Sequence, residues 1–318
     1  METIYLQHPI DPTEIDIKPT VMALGYFDGV HKGHQEVIKV AAEQAVEKGL
    51  LLTLMTFSPH PKEVLSKVAE PMRHLTPLED KLQLLEKLGV DRVLVVSFTE
   101  DFAKLTPEQF VEQYIINLHV QHTVCGFDFT YGSRGKGNIN TLPEHSKERF
   151  TQSIVPKLEY ENKKISSTHI RKLLEAGQVE QVPYDLNRYY SIQGIVVDGD
   201  KRGRKLGFPT ANIQMNKRYV IPKTGVYGVR VSYKNKAYFG VCNLGYVPTF
   251  NENQKPEPSI EVHLLDFDQN VYGESLKVEW IFRIRSEKKF ADFNDLVKQI
   301  NTDKLTAIDF FNENELAF

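Results

Sequence analysis

The stretch TVMALGYFDGVHKGHQEVIKVAAEQAVEKG, residues 20–49, decides how the fold is read. It opens on an apolar run of strand length, TVMAL (20–24), and closes on a helix-like run over 35–48 that Gly49 stops. Between them lie Gly25, Gly29 and Gly33, with His31 and His34 three residues apart. A tight strand-to-helix turn favours glycine, and small residues let backbone amides approach a ligand closely. The helix start that follows favours an anion through its dipole and its free N–H groups. Ring N–H donors on His31 and His34 then suit phosphate oxygens and would stabilise charge developing at phosphorus. A metal site needs a third or fourth ligand, and the nearest other histidines, His60 and His74, do not bring ligand spacing. An ordinary turn carrying two histidines is the third reading, and the position between a buried strand and a helix start counts against it.

Outward from this stretch the pattern repeats. LLLTLMTF (50–57) reads as a second buried strand, and 77–89 as an amphipathic helix with Leu82, Leu85 and Leu88 at helical spacing. RVLVVSF (92–98) is a third strand. Thr106 opens T-P-E-Q, a capping box with proline at the first helical position, so 107–118 is expected to be a helix. HTVCGF (122–127) is a fourth strand. This βαβαβαβ order predicts an α/β domain with a parallel sheet, whose ligands bind beyond the carboxyl ends of the strands. ISSTHIRKLLEAG (165–177) follows as a helix, with Ser167 the expected cap and Gly177 the stop.

After QVPYDLNRYY the texture changes, and two domains are expected, 1–184 and 185–318. The second is rich in Val, Ile, Tyr and Phe runs separated by turn residues, with KNK (234–236) as a hairpin turn. It reads as mostly antiparallel β, a small barrel, with a C-terminal helix over 293–311.

Composition narrows the function classes. The chain has 318 residues, 25% charged, and a net charge of −3. The charge divides as −5 over 1–184 (20 basic, 25 acidic) and +2 over 185–318 (19 basic, 17 acidic), so neither half offers a general nucleic-acid surface. The two cysteines, Cys125 and Cys242, form no C-x-x-C pair, which fits a reduced, cytoplasmic setting. The N-terminal segment lacks the basic-then-apolar pattern of a signal peptide, and no apolar run reaches membrane-spanning length; no membrane partner is expected.

Five further motifs could carry chemistry. TFSPHP (56–61) sets His60 between two prolines at a strand end, which by itself is also what a rigid turn looks like. CGFDFTYGSRGKGN (125–138) puts Asp128 after a strand and before a glycine-rich basic loop that lacks P-loop spacing. In ISSTHIR, Ser167, Thr168 and Arg171 gather hydroxyls, amides and a guanidinium at a helix start, an anion site or simply a capped helix. GDKRGRKLGFPTANI (199–213) places Gly199, Gly203 and Gly207 among basic residues ahead of Thr210 and Asn212, whose oxygens suit Mg²⁺. In SIEVHLL, Glu261 shares a strand face with His263 and Leu265, either as a general base or as a solvated carboxylate.

Taken in order, GYFDGVHKGHQ, TFSPHP, GFDFTYG, ISSTHIR, GRKLGFPTAN, GVCNLGYVPTF and SIEVHLLDF resemble the bacterial bifunctional riboflavin kinase/FAD synthetase family over about residues 4–311. The resemblance implies a Rossmann-like nucleotidyltransferase domain that joins FMN to the AMP part of ATP, followed by a riboflavin-kinase split β-barrel. It implies that His31 and His34 stabilise the adenylyl-transfer transition state, with Arg171 assisting. It implies ATP contacts at Gly25, Phe27, Asp28, Gly29, Gly33, Ser167 and Thr168, and flavin contacts at His60 and Asp128. In the second domain it implies ATP binding by Gly199, Gly203, Gly207, Thr210 and Asn212, with Mg²⁺ on the last two. Glu261 would be the base for the riboflavin hydroxyl, and Asn243 a group that orients the site. One departure stands at 186–190, where the family commonly has L-G-R/Q-P-Y and this chain has Leu-Asn-Arg-Tyr-Tyr. Alternatives are a relative retaining one activity, and a flavin-binding regulator acting on RNA, whose basic surface the charge does not supply.

Overall fold

A computed structural model of the chain describes residues 1–11, 18–66, 71–160, 163–199, 207–246, 258–290 and 292–314. Contacts divide the chain into two compact units, Met1–Ser167 and Thr168–Phe318.

The first unit is built on six parallel strands: β1 (Glu2–Leu6), β2 (Thr20–Leu24), β3 (Leu51–Ser58), β4 (Arg92–Ser97), β5 (Val120–Gly126) and, after the short ribbon β6 (Thr130–Tyr131) and β7 (Gly137–Asn138), β8 (Thr151–Val155). Their order is β1-β4-β3-β2-β5-β8. Side chains alternate between two cores: Val21 and Ala23 of β2 enter one, Met22 and Leu24 the other. A strand apolar on both faces is what a parallel sheet covered on both sides requires. The order reverses between β2 and β5, so the ligand crevice is expected beyond their carboxyl ends. Gly25 follows β2 there, and Phe127 and Asp128 follow β5.

Local structure departs from the sequence reading in several places. The edge strands β1 and β8 were not expected. Each pairs on one side only, and Glu2–Leu6 lacks the buried run that marks the central strands. The helix after the first turn begins at Lys32, not 35, with His31 as its cap. The segment 107–118 is α-helical only over Pro107–Val111, capped by the Thr106 box, and continues as a wider π-helical turn over Glu112–Ile116. Ser167 is the first residue of its helix, Ser167–Ala176, rather than the cap.

In the second unit, after the ribbon β9 (Glu159–Tyr160) and β10 (Lys163–Lys164) of the first, β11 (Tyr190–Val197), β12 (Ala211–Met215), β13 (Gly225–Tyr233), β14 (Lys236–Tyr246), β15 (Pro258–Leu264) and β16 (Ser275–Arg285) close a barrel in the order β11-β12-β15-β14-β13-β16. Its interior is filled by Tyr227 and Trp280, edge to face at 5.1 Å, with Val229, Val231, Leu244, Val262 and Val278. The β13–β14 hairpin turns on Lys234 and Asn235, both at positive φ (46° and 63°), the two-residue turn that matches strand twist. Phe311 and Ala307 of the C-terminal helix Phe293–Glu313 pack on Phe239 and Phe282. Arg285 grips Asp303 of that helix, Nε to Oδ1 at 2.9 Å and an outer nitrogen to Oδ2 at 2.7 Å. Within the second unit, Asn187 ends the helix Val182–Leu186 at φ 58°. Asparagine is the residue after glycine that best tolerates this left-handed cap.

Candidate functional sites

The turn after β2 carries an unusual backbone. Phe27, Gly29 and Val30 have φ of 58°, 85° and 42°. Positive φ at a bulky or β-branched residue is strained by about 1–3 kcal/mol and persists only where packing enforces it. Here Phe27 and Val30 are both buried in the core cluster that holds Val21 and Ala23, which anchors the turn. Gly25 lies against the Phe27 ring, which a side chain there would meet at 3.1 Å. Asp28 is buried; its Oδ1 accepts from the Thr76 N–H at 3.1 Å and its carbonyl from the Ser167 hydroxyl at 2.8 Å. The Ser167 hydroxyl is thereby tied to the turn, while Thr168 and Arg171 fall in the second unit.

His31 caps the Lys32–Lys48 helix: its Nδ1 accepts from the His34 N–H at 3.3 Å. Nδ1 is therefore unprotonated, and the neutral ring carries its proton on Nε2 as a donor. Burial holds the His31 pKa down to about 4, against the opposing pull of Asp28 and Asp128. The His31 and His34 rings stack with centroids 3.5 Å apart and planes 16° from parallel. Lone pairs lying in near-parallel planes do not converge on one ion, so the metal reading of this pair fails. Gly33 leaves room for this stack, since a side chain there would press on His31 Cε1 at 3.1 Å. The result is a capped helix N-terminus with a neutral imidazole donor in front of it.

His60 and Asp128 stand elsewhere around the strand ends. His60 caps the short helix Pro61–Leu65, its Nδ1 accepting from the Lys62 N–H at 2.9 Å, and its ring meets Tyr26 edge-on at 4.1 Å. Asp128 is paired with Lys164 at 2.6 Å. Sequence reading missed a cavity of about 740 Å³ lined by Phe57, Phe98, Phe102, Phe110, Phe129 and Tyr131. Its signal was present in the aromatics of TFSPHP and FDFTYG, but only the fold shows that they face one another.

In the barrel, register does the assembling. Asn212 of β12 pairs with Glu261 of β15, which pairs with Asn243 of β14, so the three lie in a row across adjacent strands. Directly paired residues point to the same face. Ile260, Val262 and Leu264 fill the core, while Glu261 and His263 face a cavity of about 340 Å³ closed by Leu296, Ile300 and Asp303 of the C-terminal helix. The Ser259 hydroxyl donates to Glu261 Oε1 at 3.1 Å. A second cavity of about 490 Å³ is lined by Asn212, Pro209, Val271 and Tyr272. Thr210 lines both. Gly199 lies against Asn212, where any side chain would overlap the amide. Gly207 has φ 81°, and Gly203 lies outside the described residues.

Among the described residues no group of three or more His, Cys, Asp or Glu could hold a metal ion. The neutral oxygens of Thr210 and Asn212 do fit Mg²⁺, which usually keeps water and substrate phosphates in most of its positions. No helix among the described residues is long and apolar enough to cross a membrane.

Residues 13–169 match the model of the FAD synthetase family and residues 186–311 that of the riboflavin kinase family. The chain is 51% identical over 312 residues to the bifunctional riboflavin kinase/FMN adenylyltransferase of Bacillus subtilis, covering 98% of this chain and 99% of that one. It is 45% identical to the protein of the same name from Listeria monocytogenes, with 98% of each covered. A solved Streptococcus pneumoniae structure, described as a macrolide-efflux protein, superposes with a TM-score of 0.88 at 34% identity, covering 96% of this chain and 99% of that one.

Proposed function

The chain belongs to the bifunctional riboflavin kinase/FMN adenylyltransferase family, and from that premise we propose how its residues divide the two reactions. The protein phosphorylates riboflavin to FMN with ATP, and adenylylates FMN to FAD with release of pyrophosphate. Residues 1–184 carry the second reaction and 185–318 the first.

In adenylyl transfer, an FMN phosphate oxygen attacks the ATP α-phosphorus; the bond to the bridging oxygen of the β-phosphate breaks, and pyrophosphate leaves. No covalent enzyme intermediate is needed, so positioning and charge stabilisation carry the rate. His31 supplies its Nε2–H donor at the helix N-terminus, and His34 supports it by the ring stack. Gly25, Phe27, Asp28, Gly29 and Gly33 form the turn that receives ATP, and Ser167, Thr168 and Arg171 supply further anion-binding groups. The aromatic cavity suits the flavin ring system, with His60 and Asp128 at its approaches. The observation that carries this reading is the neutral, capping His31 stacked on His34.

In the kinase reaction, the riboflavin 5′-hydroxyl attacks the ATP γ-phosphorus as Glu261 takes its proton, and ADP leaves. Thr210 lines two adjoining cavities, with Glu261 in one and Asn212 in the other, which supports an acceptor side and a nucleotide side meeting at Thr210. Gly199, Gly203 and Gly207 would wrap the nucleotide, Asn243 orient Glu261, and Thr210 and Asn212 hold Mg²⁺. Bound there, Mg²⁺ supplies charge neutralisation on the phosphates. The net charge of −3 supports an enzyme of small molecules without a nucleic-acid partner.

The test is to incubate the purified protein with ATP, Mg²⁺ and, in parallel reactions, either riboflavin or FMN, and to follow FMN formed from riboflavin and FAD formed from supplied FMN by chromatography, for the native chain, His31→Ala and Glu261→Ala. His31→Ala is expected to lose FAD formation alone, and Glu261→Ala FMN formation alone. Equal loss of both in a folded His31→Ala protein would refute the division.

A further inference from the structure

Lys81 is a lysine where none is expected. It lies on the helix Leu78–Lys87, is 2% exposed, and has no carboxylate within ion-pair distance among the described residues. Its Nζ donates to the Tyr26 carbonyl at 2.8 Å and to the Thr56 hydroxyl at 3.1 Å, and sits 4.2 Å from the centre of the Tyr26 ring. The Thr56 hydroxyl in turn donates to the same Tyr26 carbonyl at 2.8 Å. One ammonium thus ties together the residue that opens the β2 turn and the end of β3. Tyr26 extends the tie outward, through its ring to His60 at 4.1 Å and its hydroxyl to His74 at 3.2 Å.

A buried charge without a paired carboxylate disfavours folding, and a well-packed apolar side chain of similar size is often neutral or stabilising in its place. Packing therefore does not account for a cation at this point. The site above it does, because on the adenylyl-transfer reading the turn that begins at Tyr26 faces the triphosphate of ATP and the phosphate monoester of FMN. We propose that Lys81 is a positioning residue of the adenylyl-transfer site, holding the Tyr26–Asp28 turn and the His60 loop in register while lending a fixed positive charge beneath the substrate phosphates. This rests on the reading of His31 and its turn as the adenylyl-transfer site.

The charged and titratable groups around Lys81 are Asp28 on the turn and, through Tyr26, His60 and His74, the latter 3.6 Å from Glu63. Burial lowers the Lys81 pKa to about 8, with Asp28 opposing. The native enzyme should therefore lose FAD formation above about pH 8, where the ammonium gives up its proton.

The experiment uses the full chain as native protein, Lys81→Met and Lys81→Gln, measuring FAD formation from FMN and ATP across pH 6.5–9.5 (a range of roughly one and a half units either side of that pKa). Riboflavin phosphorylation and thermal stability are measured in the same preparations. The expected result is a fall in kcat for FAD formation of roughly tenfold or more in Lys81→Met. Riboflavin phosphorylation and melting temperature hold or rise, and the alkaline loss seen in the native enzyme is absent from the variant. Lys81→Gln, with a donor but no charge, falls in the same way. The proposal is overturned if FAD formation is unchanged. It is equally overturned if both activities and stability fall together, if the native enzyme shows no alkaline loss, or if the variants retain it. His31→Ala run alongside separates the two ideas. If it abolishes FAD formation while Lys81→Met does not, only the role of Lys81 falls; if it leaves FAD formation intact, the site itself was misplaced.

Discussion

The His31 turn and the Glu261 row, the two proposed phosphate-handling sites, are built in opposite ways. The first is compact in sequence: strand end, strained turn, helix cap and both histidines fall within residues 20–35. Its groups are buried, its backbone is held at positive φ by Phe27 and Val30, and its key imidazole is kept neutral by burial. The second is scattered in sequence and regular in backbone. Asn212, Glu261 and Asn243 come from three strands and meet only through register, in half-open cavities where no strain is needed. A site built on a turn depends on local conformation, whereas a site built on a ladder depends on closure of the whole barrel.

Substitutions can break this contrast. The largest effect is expected at Glu261: Glu261→Gln should lower kcat for riboflavin phosphorylation by about 10²–10⁴ while FAD formation from supplied FMN holds, as loss of a general base predicts. His31→Gln should lower kcat for FAD formation by about 10²–10³ and leave FMN formation alone, the scale for removing one transition-state donor. Both are checked by product chromatography. Gly199→Ala, which drives a methyl into the Asn212 amide, should raise KM for ATP in the kinase reaction by roughly tenfold, with stability little changed.

The pH dependence of stability sharpens the comparison at the His31 turn, where burial holds the imidazole furthest below its ordinary range. His31 takes its proton at about 4 when folded and at its ordinary 6.5 when unfolded. Between those values the unfolded chain binds more protons, so the His31 contribution falls as pH drops from about 6.5 toward 4, by up to about 1.4 kcal/mol per unit. Urea unfolding followed across this range should show the slope, and His31→Gln should remove its share. The smallest effect is expected at His60. Its cap on Pro61–Leu65 is worth about 1 kcal/mol, so His60→Ala should lower stability by that order and raise KM for FMN only a few-fold.

Much of this was legible before any coordinates. Alternating apolar runs and helical spacing gave a parallel α/β unit followed by a barrel, because backbone hydrogen bonding and burial impose periods of 2 and 3.6 on the sequence. Edge strands were illegible for the same reason reversed: β1 and β8 are half-covered and lack a buried run. The π-helical turn after Val111 was hidden behind a correct capping box, since caps mark where a helix starts and not how its last turn closes.

The sequence by itself determined the periodic elements, the glycines and histidines of the first turn, and the separate sets of chemical groups on either side of the junction. Tertiary structure decided the rest. It made His31 a cap as well as a donor, turned the two histidines into a stack that no single metal can bridge, and set Lys81 beneath Tyr26. It also aligned Glu261 with Asn212 and Asn243. The physical reason is that spacing along the chain fixes which face a side chain takes, whereas charge state, stacking and cross-strand neighbours depend on what the fold packs against that face.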